Sequence, residues 1–211
     1  MRRNWGLVGV VAALALASAL PASADDASGP GCIVKLASVD AQNVPTFRGE
    51  CVWSVAPASV AAVLTDPERL DAASKLLIAS DRLPDGRIVN VQQTGWPFED
   101  RQSTIEVRDE ALPDGGLRRN YKLADTQATP REGAVQVGVD EGSYEIVADP
   151  LGTRLVLVMR YEPGGNLPTR IVQSLSPRYI ARGLDELRAG AEQFARANPA
   201  PPSVAAGPPK E

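Results

Sequence analysis

The hydrophobic pattern of the chain changes once, between its last alternating segment and its C-terminal region. Residues 153–161 read TRLVLVMRY, and from residue 167 the chain continues LPTRIVQSLSPRYIARGLDELRAGAEQFARA. Apolar and polar residues alternate in the first segment, which is typical of a strand with one buried face. In the second segment apolar residues recur every three to five positions, which predicts one helix over residues 167–197 with a single apolar stripe. Pro177 lies inside this helix and predicts a kink or a break near Leu175.

Short alternating segments fill the part of the chain before this point. Turn signals rich in Pro, Gly and Asp separate them, which is typical of hairpin connections and predicts a mainly antiparallel sheet. Pro57 and the apolar residues after it predict a short helix over residues 57–70. The predicted fold class is therefore α+β. The predicted strands are residues 33–37, 46–55, 87–93, 101–111, 117–123, 134–139, 143–148 and 153–161, with turns at residues 84–86, 113–116, 140–142 and 149–152.

The two ends of the chain differ in composition from its centre. A positively charged start, an apolar run and small residues at 22–24 predict a secretory signal peptide over residues 1–24. An uncleaved membrane anchor is the alternative. We expect a disordered N-terminus over residues 25–30, one domain over 31–197 and a disordered Pro- and Ala-rich tail over 198–211. The mature protein would then be periplasmic or secreted.

Composition excludes several classes of function. The chain has 211 residues, of which 44% are hydrophobic and 23% charged, as in ordinary globular domains. It contains no histidine, so a Ser-His-Asp triad, a Cys-His pair and a His-ligated zinc site are excluded. The formal net charge is −4, and the body of the chain has no long basic run. Nucleic acid is therefore not an expected partner, and we expect no cofactor and no metal.

Cys32 and Cys51 are the only cysteines of the chain. In an exported protein an even number of cysteines favours a disulfide. By closing a loop in the unfolded chain, this disulfide would stabilise the fold by about 3 kcal/mol. Two buried free thiols are the alternative.

Side-chain parity along the predicted strands divides their residues between two faces of the sheet. The apolar positions of each strand define the inner face. This face receives Arg101, Arg119, Tyr121, Tyr144, Leu155, Leu157, Met159 and Tyr161, whereas Gln102, Thr104, Glu106 and Arg108 are expected to lie in water.

The two inward arginines are the informative members of this set. A buried guanidinium without a partner costs several kcal/mol, so each needs a carboxylate, carbonyl groups, water or the headgroup of a ligand. Pairing with a local acid such as Asp100, or extension to solvent, would give them a structural role. The other interpretation is a polar anchor in an apolar cavity. For the inward tyrosines the structural alternative is core packing with a satisfied hydroxyl.

Two short motifs carry a resemblance to a known family. Residues 96–101 read WPFEDR and resemble the Trp-Pro-x-x-Asp-Arg element of START lipid-transfer domains. Residues 163–168 read PGGNLP and resemble the turn that leads such domains into their C-terminal helix. Weaker matches at residues 47–50 and 66–69 extend the resemblance over nearly the whole domain. Residues 70–73 read LDAA and lack the Trp that such domains often carry there, which weakens any ligand assignment taken from sterol-binding members.

The resemblance implies a helix-grip fold, in which a curved antiparallel sheet wraps around the long C-terminal helix. Between them, a tunnel would hold a sterol, phospholipid, ceramide or other hydrophobic molecule. Residues 94–100 would form the mouth of the tunnel and residues 167–179 its roof. With the inward residues, this gives the predicted ligand-binding set: Trp96, Arg101, Arg119, Tyr121, Tyr144, Leu157, Met159, Ile171, Leu175 and Tyr179.

We therefore expect an exported, non-enzymatic protein that binds or transfers a lipid or another hydrophobic small molecule. It would be a monomer, and transient contact with a membrane stays open. One alternative is a helix-grip enzyme of the cyclase, dehydratase or hydrolase type. Its acid, base or charge stabiliser would come from Arg101, Arg119, Tyr121 or Glu106. The other alternative is an interaction module of the cell envelope.

Overall fold

A computed structural model describes residues 27–29, 31–94 and 98–199 of the chain. The described residues form ten β-strands, three α-helices and one 3-10 turn. In chain order they are β1 (Ala27–Gly29), β2 (Cys32–Val39), β3 (Pro45–Trp53), α1 (Pro57–Leu64), α2 (Pro67–Ala73), β4 (Leu77–Arg82), β5 (Ile88–Gln92), β6 (Asp100–Ala111), the 3-10 turn (Pro113–Gly115), β7 (Leu117–Leu123), β8 (Ala134–Gln136), β9 (Val139–Asp149), β10 (Gly152–Glu162) and α3 (Thr169–Ala197).

All the strands belong to one sheet. Nine of them follow the order β1-β2-β3-β10-β9-β7-β6-β5-β4, and β8 lies beside the start of β6. Every pairing is antiparallel except that of β8 with β6. The long helix α3 packs on β1, β2 and β3 and on the two shorter helices. The α+β class and the long C-terminal helix are therefore confirmed.

The main core lies between α3 and the strands that it covers. Leu155 and Leu157 of β10 are buried against the apolar stripe of α3, which buries Leu184 and Leu187. This is the inner face that side-chain parity assigns in β10. Cys32 and Cys51 lie directly opposite each other on β2 and β3 and form the predicted disulfide inside this core.

The segment after β3 contains two helices rather than the single short helix predicted over residues 57–70. α1 ends at Leu64, and α2 begins at Pro67. Asp66 caps α2, because its Oδ1 accepts hydrogen bonds from the backbone N–H groups of Glu68 and Arg69 at 3.1 and 3.4 Å. Pro67 has no N–H to continue a helix from α1, but it fits the first turn of a new one.

The turn predicted at residues 140–142 is wrong, because these residues lie within β9. Gly142 is required there for packing rather than for a turn. A Cβ at this position would lie 2.0 Å from the carbonyl oxygen of Val158 and 3.0 Å from the Tyr121 hydroxyl. The predicted strands 134–139 and 143–148 are accordingly redistributed, into the short strand β8 and the long strand β9.

The outer face of β6 is not in water at its first half, which corrects the prediction for Gln102 and Thr104. Both side chains are almost fully buried, at 1% and 0% exposure. The connection between β7 and β9 crosses over them: the Gln102 amide donates to the carbonyl oxygens of Ala128 and Thr129, and Thr104 hydrogen-bonds the Ala128 N–H. A segment distant in sequence thus covers a face that looks solvent-exposed by local pattern.

Three further differences from the predicted elements concern α3, β1 and β4. α3 is continuous through Pro177, so the break predicted near Leu175 is absent from the helix as described. Ala27–Gly29 pairs with β2, where disorder was expected. β4 has no counterpart among the predicted strands.

Neither the predicted signal peptide nor residues 200–211 of the predicted tail fall within the described residues. Of the described helices, none is both long and apolar enough to cross a membrane.

Candidate ligand-binding cavity

A cavity lies between the inner face of the sheet and α3. Its volume is about 260 Å³. Leucine and other apolar side chains from all three helices and from β10 form most of its wall. The lining residues are Leu64, Leu70, Ser74, Leu76, Leu77, Asn90, Gln92, Gln93, Thr94, Phe98, Arg101, Tyr144, Leu157, Met159, Tyr161, Pro163, Leu167, Ile171, Val172, Leu175, Ser176, Tyr179, Ile180, Gly183, Leu184 and Leu187.

Arg101 is the charged member of this lining. It lies near the start of β6 and is 4% exposed. Its Nη1 donates to the backbone carbonyl oxygens of Glu99 and Asp100. Its Nε is buried and has no hydrogen-bond partner among the described residues. The Asp100 carboxylate is directed elsewhere, since its Oδ1 accepts from the Thr94 N–H at 3.3 Å.

Asn90 and Gln92 form a polar strip on the cavity wall next to Arg101. Gln92 faces Arg101 directly across the β5–β6 ladder. The Asn90 side-chain oxygen accepts a hydrogen bond from the Ser80 hydroxyl at 2.8 Å, which leaves its NH2 group directed away from that contact. On the opposite face of β5, Val89 and Val91 are buried. The usual polarity of a sheet is therefore reversed here: the polar side chains of β5 face the cavity.

Arg119, the second inward arginine, does not line the cavity. Its guanidinium makes two hydrogen bonds to the carboxylate of Asp109, from Nε to Oδ1 at 2.7 Å and from Nη2 to Oδ2 at 3.0 Å. Its Nη1 donates to the backbone carbonyl oxygen of Leu64 at the end of α1. The paired, structural interpretation is therefore correct for Arg119, because a cross-strand carboxylate satisfies its charge.

A buried polar cluster, Asp140, Tyr121 and Ser103, lies on the inner face of the sheet outside the cavity lining. Asp140 is 4% exposed, and burial raises its pKa to about 7, although a hydrogen bond with Ser103 opposes the shift. Asp140 Oδ1 and the Tyr121 hydroxyl have no hydrogen-bond partner in the described parts of the chain. Burial, and then the charge of Asp140, raises the pKa of Tyr121 well above its ordinary value. The cluster connects to the cavity through Tyr161, which faces Asp140 across the β9–β10 ladder and lines the wall.

Tyr144 and Tyr161 are the two lining phenols on the sheet side of the cavity, and Tyr179 on α3 is a third. Burial is the main cause that raises the pKa of Tyr144 to about 12, and the charge of Asp140 adds to it. The pKa of Tyr161 is raised in the same way, with the nearby Arg101 opposing the shift. Both hydroxyls are therefore protonated at neutral pH and available as hydrogen-bond donors.

The first half of α3 closes the cavity opposite the sheet. Ile171, Leu175 and Tyr179 of this half line the wall, and Tyr179 donates a hydrogen bond of 2.8 Å to the carbonyl oxygen of Thr94. Gly183 lies beside the loop between α2 and β4, where a Cβ would make an ordinary contact with Leu76 at 3.7 Å. The helix thus contacts both loops that border the cavity.

Glu186 anchors the loop between α2 and β4. Its Oε2 accepts hydrogen bonds from the Ser74 hydroxyl at 2.7 Å and from the backbone N–H groups of Lys75 and Leu76 at 2.8 and 3.2 Å. Burial alone would raise the pKa of this carboxyl, but the hydrogen bonds outweigh it and hold the pKa below its ordinary value. The loop that supplies Ser74, Leu76 and Leu77 to the cavity is therefore fixed to α3.

Most of the predicted ligand-binding residues are brought together by the fold. Those that line the cavity are Arg101, Tyr144, Leu157, Met159, Ile171, Leu175 and Tyr179. Arg119 and Tyr121 do not line it, and Trp96 lies outside the described residues. Glu106, a candidate acid or base of the enzyme alternative, pairs with Lys122 at 3.4 Å on the solvent side of the sheet. The described residues contain no acidic or cysteine cluster suited to a metal ion.

The polar residues on β5 and the buried acid on β9 were not foreseen as part of this region. In β5, residues 88–92 read IVNVQ, and alternation alone assigns Asn90 and Gln92 to solvent. Asp140 lies in a segment whose composition signals a turn. The position of Asp140 along β9 carries a signal that could have found it, because Asp140 has the same parity as Tyr144, which alternation assigns to the inner face.

Comparison with known proteins identifies the fold. No protein-family model matches the chain, and no curated protein matches it. Solved structures do match. A STAR-related lipid transfer protein from Xanthomonas axonopodis superposes with a TM-score of 0.70 at 22% sequence identity, over 79% of this chain and 97% of that chain. Human STARD10 has a TM-score of 0.69 at 14% identity, with 82% of this chain and 75% of that chain covered.

Human StAR-related lipid transfer protein 5 gives a similar result, with a TM-score of 0.65 at 17% identity over 80% of this chain and 85% of that chain. The chain therefore has the START-like, helix-grip fold. This confirms the fold that the motifs at residues 96–101 and 163–168 indicated by resemblance.

Proposed function

We propose that this protein is an exported, non-enzymatic carrier of a lipid or another hydrophobic small molecule, which it holds in the cavity between the sheet and α3. The observation that carries the proposal is the cavity itself, whose described lining is mainly apolar and includes one buried cation, Arg101. Each methylene moved from water into such a wall contributes about 0.8 kcal/mol, so a hydrocarbon ligand binds there with few directional contacts. The similar solved structures are named as lipid transfer proteins, which supports the same class of ligand.

The contact residues that we propose are those of the predicted set that line the wall. Leu157 and Met159 of β10 and Ile171 and Leu175 of α3 would contact the hydrocarbon from opposite sides. Tyr144 and Tyr179 would border it, and Arg101 would meet the polar end. Trp96 stays a prediction as a residue of the cavity mouth.

Export rests on the composition of residues 1–24 and on the disulfide. A disulfide between Cys32 and Cys51 suits an oxidising compartment, so we propose the periplasm or the external medium as the location. We further propose that the protein is a monomer that contacts membranes only transiently, to load and release its ligand.

A carrier is favoured over an enzyme by the chemistry of the cavity wall. The chain has no histidine, and neither Asp nor Glu is among the described lining residues. Tyr144 and Tyr161, which line the wall, have raised pKa values and are poor bases at neutral pH. This leaves Arg101 as the group able to act electrostatically. A ligand recovered unchanged after prolonged incubation with the protein supports the carrier, and its conversion to a product supports the enzyme.

The test begins with the protein purified from its own host without detergent. Solvent extraction followed by mass spectrometry should recover about one equivalent of a lipid or hydrophobic small molecule. The delipidated protein should then bind dansyl-labelled undecanoic acid. Failure of both measurements would contradict the proposed function.

Two variants of β10 show whether the ligand occupies the cavity. Met159→Trp places a larger side chain in the cavity and should weaken probe binding at least tenfold. Val158→Trp is the matched control, because residue 158 lies on the opposite face of the same strand and should leave affinity unchanged. Equal affinities for both variants would place the ligand elsewhere. Far-UV circular dichroism confirms that each variant is folded.

A further inference from the structure

Among the described residues, the cavity wall carries one charge and that charge has no counterion. Arg101 is the charged residue among the described lining residues, and none of the described carboxylates forms an ion pair with it. The backbone carbonyls of Glu99 and Asp100 satisfy Nη1, but its Nε is buried without a hydrogen-bond partner. An anion placed beside a guanidinium withdrawn from water in this way would offset the cost of burying its charge. Arg119 provides the internal contrast, because Asp109 occupies both its Nε and its Nη2.

The side chains around Arg101 present further hydrogen-bond donors. Gln92 is directly opposite it on β5, and the NH2 group of Asn90 is left unused by the contact with Ser80. On the other side lies Tyr161, close enough for Arg101 to lower its pKa and protonated at neutral pH. A positive charge with amide and phenol donors around it is the environment that a carboxylate or phosphate headgroup prefers. The lining residues that the structure describes include no carboxylate for the positive group of a cationic or zwitterionic headgroup.

The size of the cavity restricts the class of ligand that it can hold. At about 260 Å³ it falls just below the range of about 300–1,000 Å³ that is common for small-molecule sites. Beyond the polar strip the wall is apolar, from Leu157 on the sheet to Leu184 and Leu187 on α3. One hydrocarbon chain or a compact ring system suits this space better than the two chains of a phospholipid.

We infer that the ligand is a single-chain amphiphile with an anionic headgroup, and that Arg101, with Gln92 and Asn90 beside it, selects that headgroup. This inference rests on the proposed function and specifies its substrate class. A carboxylate and a phosphate monoester share the required chemistry, and the choice between them is left to the measurement.

The test compares four probes of one chain length on the delipidated full-length protein by isothermal titration calorimetry at pH 7.5. They are dodecanoate, dodecyl phosphate, dodecanol and dodecyltrimethylammonium. One of the two anions should bind at least tenfold more tightly than dodecanol, and the ammonium should bind least. The tighter of the two anions identifies the headgroup. Binding of dodecanol as tight as that of both anions would overturn the inference and leave the proposed carrier function standing, whereas absence of binding by every probe would count against both.

Variants of the headgroup site provide the second comparison. Arg101→Met should remove the preference for the anion while keeping the affinity for dodecanol within about threefold. Arg154→Met, which changes an exposed arginine on the outer face of β10, is the matched control and should keep the preference. Gln92→Leu tests the site without removing the buried charge, and it should weaken binding of the anion several-fold but not that of dodecanol. Full retention of the anion preference in both Arg101→Met and Gln92→Leu would overturn the inference.

Discussion

Arg119 and Asp109 form a two-point ion pair across β6 and β7, with nitrogen-to-oxygen distances of 2.7 and 3.0 Å. The arginine side chain is 7% exposed and the aspartate side chain 39%. The third nitrogen of the guanidinium holds the carbonyl oxygen of Leu64, so the pair also fixes the end of α1 to the sheet. Two arginines that share one face by parity thus have different roles, because one has a carboxylate opposite it and the other has none.

This pair leads to a prediction on stability. Arg119→Met should lower the free energy of unfolding by about 2–4 kcal/mol, because a hydrogen-bonded, largely buried charge pair is broken. Urea denaturation followed by tryptophan fluorescence measures the change. The folded variant should bind the acyl probe as the wild-type protein does. A variant as stable as the wild-type protein, or one with selectively weakened ligand binding, would contradict the structural role of Arg119.

A second prediction concerns pH, through Asp140. Its pKa is about 7 in the folded protein and 3.8 in an unfolded chain, so the folded state binds the proton more tightly. The contribution of protonated Asp140 to the stability of the folded state is therefore fully present below about pH 4, and it is lost as the pH rises toward 7. Asp140→Asn keeps a neutral group of the same shape, and at pH 8 it should be more stable than the wild-type protein by about 2–4 kcal/mol.

Thermal unfolding of both proteins between pH 4 and pH 8 tests this prediction. Near pH 4 the melting temperatures of Asp140→Asn and the wild-type protein should lie close together. As the pH rises, the variant should become more stable than the wild-type protein. Asp125→Asn changes an exposed aspartate and should leave the pH dependence as it is in the wild-type protein. A constant difference between Asp140→Asn and wild type across the range would show that Asp140 does not titrate in this window.

Alanine substitutions at two glycines of α3 should change the stability of the protein in opposite directions. A methyl group at Gly183 meets only Leu76 at 3.7 Å, an ordinary contact. Gly183→Ala should therefore stabilise the protein by about 0.5–1 kcal/mol, because alanine loses less conformational freedom in a helix. At Gly190 a Cβ would lie 2.5 Å from that of Ala73 on α2, so Gly190→Ala should destabilise by forcing the helices apart. Differential scanning calorimetry of the two variants should show melting temperatures on opposite sides of wild type.

The disulfide gives the fourth prediction. The double variant Cys32→Ser with Cys51→Ser should lose about 3 kcal/mol of stability, because the unfolded chain regains the freedom of a loop between residues 19 positions apart. Reductant should lower the melting temperature of the wild-type protein toward that of the double variant. It should have no effect on the variant itself. If reductant left the melting temperature of the wild-type protein unchanged, the disulfide would contribute nothing to stability.

Local pattern was a good guide to the inner face of the sheet and a poor one to its outer face. Leu155, Leu157 and Arg101 were assigned inward from alternation alone, and all three are buried. Gln102 and Thr104 were assigned to water by the same rule, yet the connection between β7 and β9 covers them. Alternation reports that two faces differ, but it cannot report that a distant segment covers the more polar one.

The long terminal helix and the parity of the inward side chains were present in the amino-acid sequence, because each depends on neighbours or on a fixed backbone period. The even number of cysteines already favoured the disulfide. The different roles of the two inward arginines, Arg101 and Arg119, could not be read from the sequence. Whether a guanidinium is neutralised depends on which carboxylate lies within hydrogen-bond distance across the sheet, and that distance exists only once β6, β7 and α1 are packed together. The reversed polarity of β5 and the position of Asp140 were decided in the same way, by contacts between segments far apart in the chain.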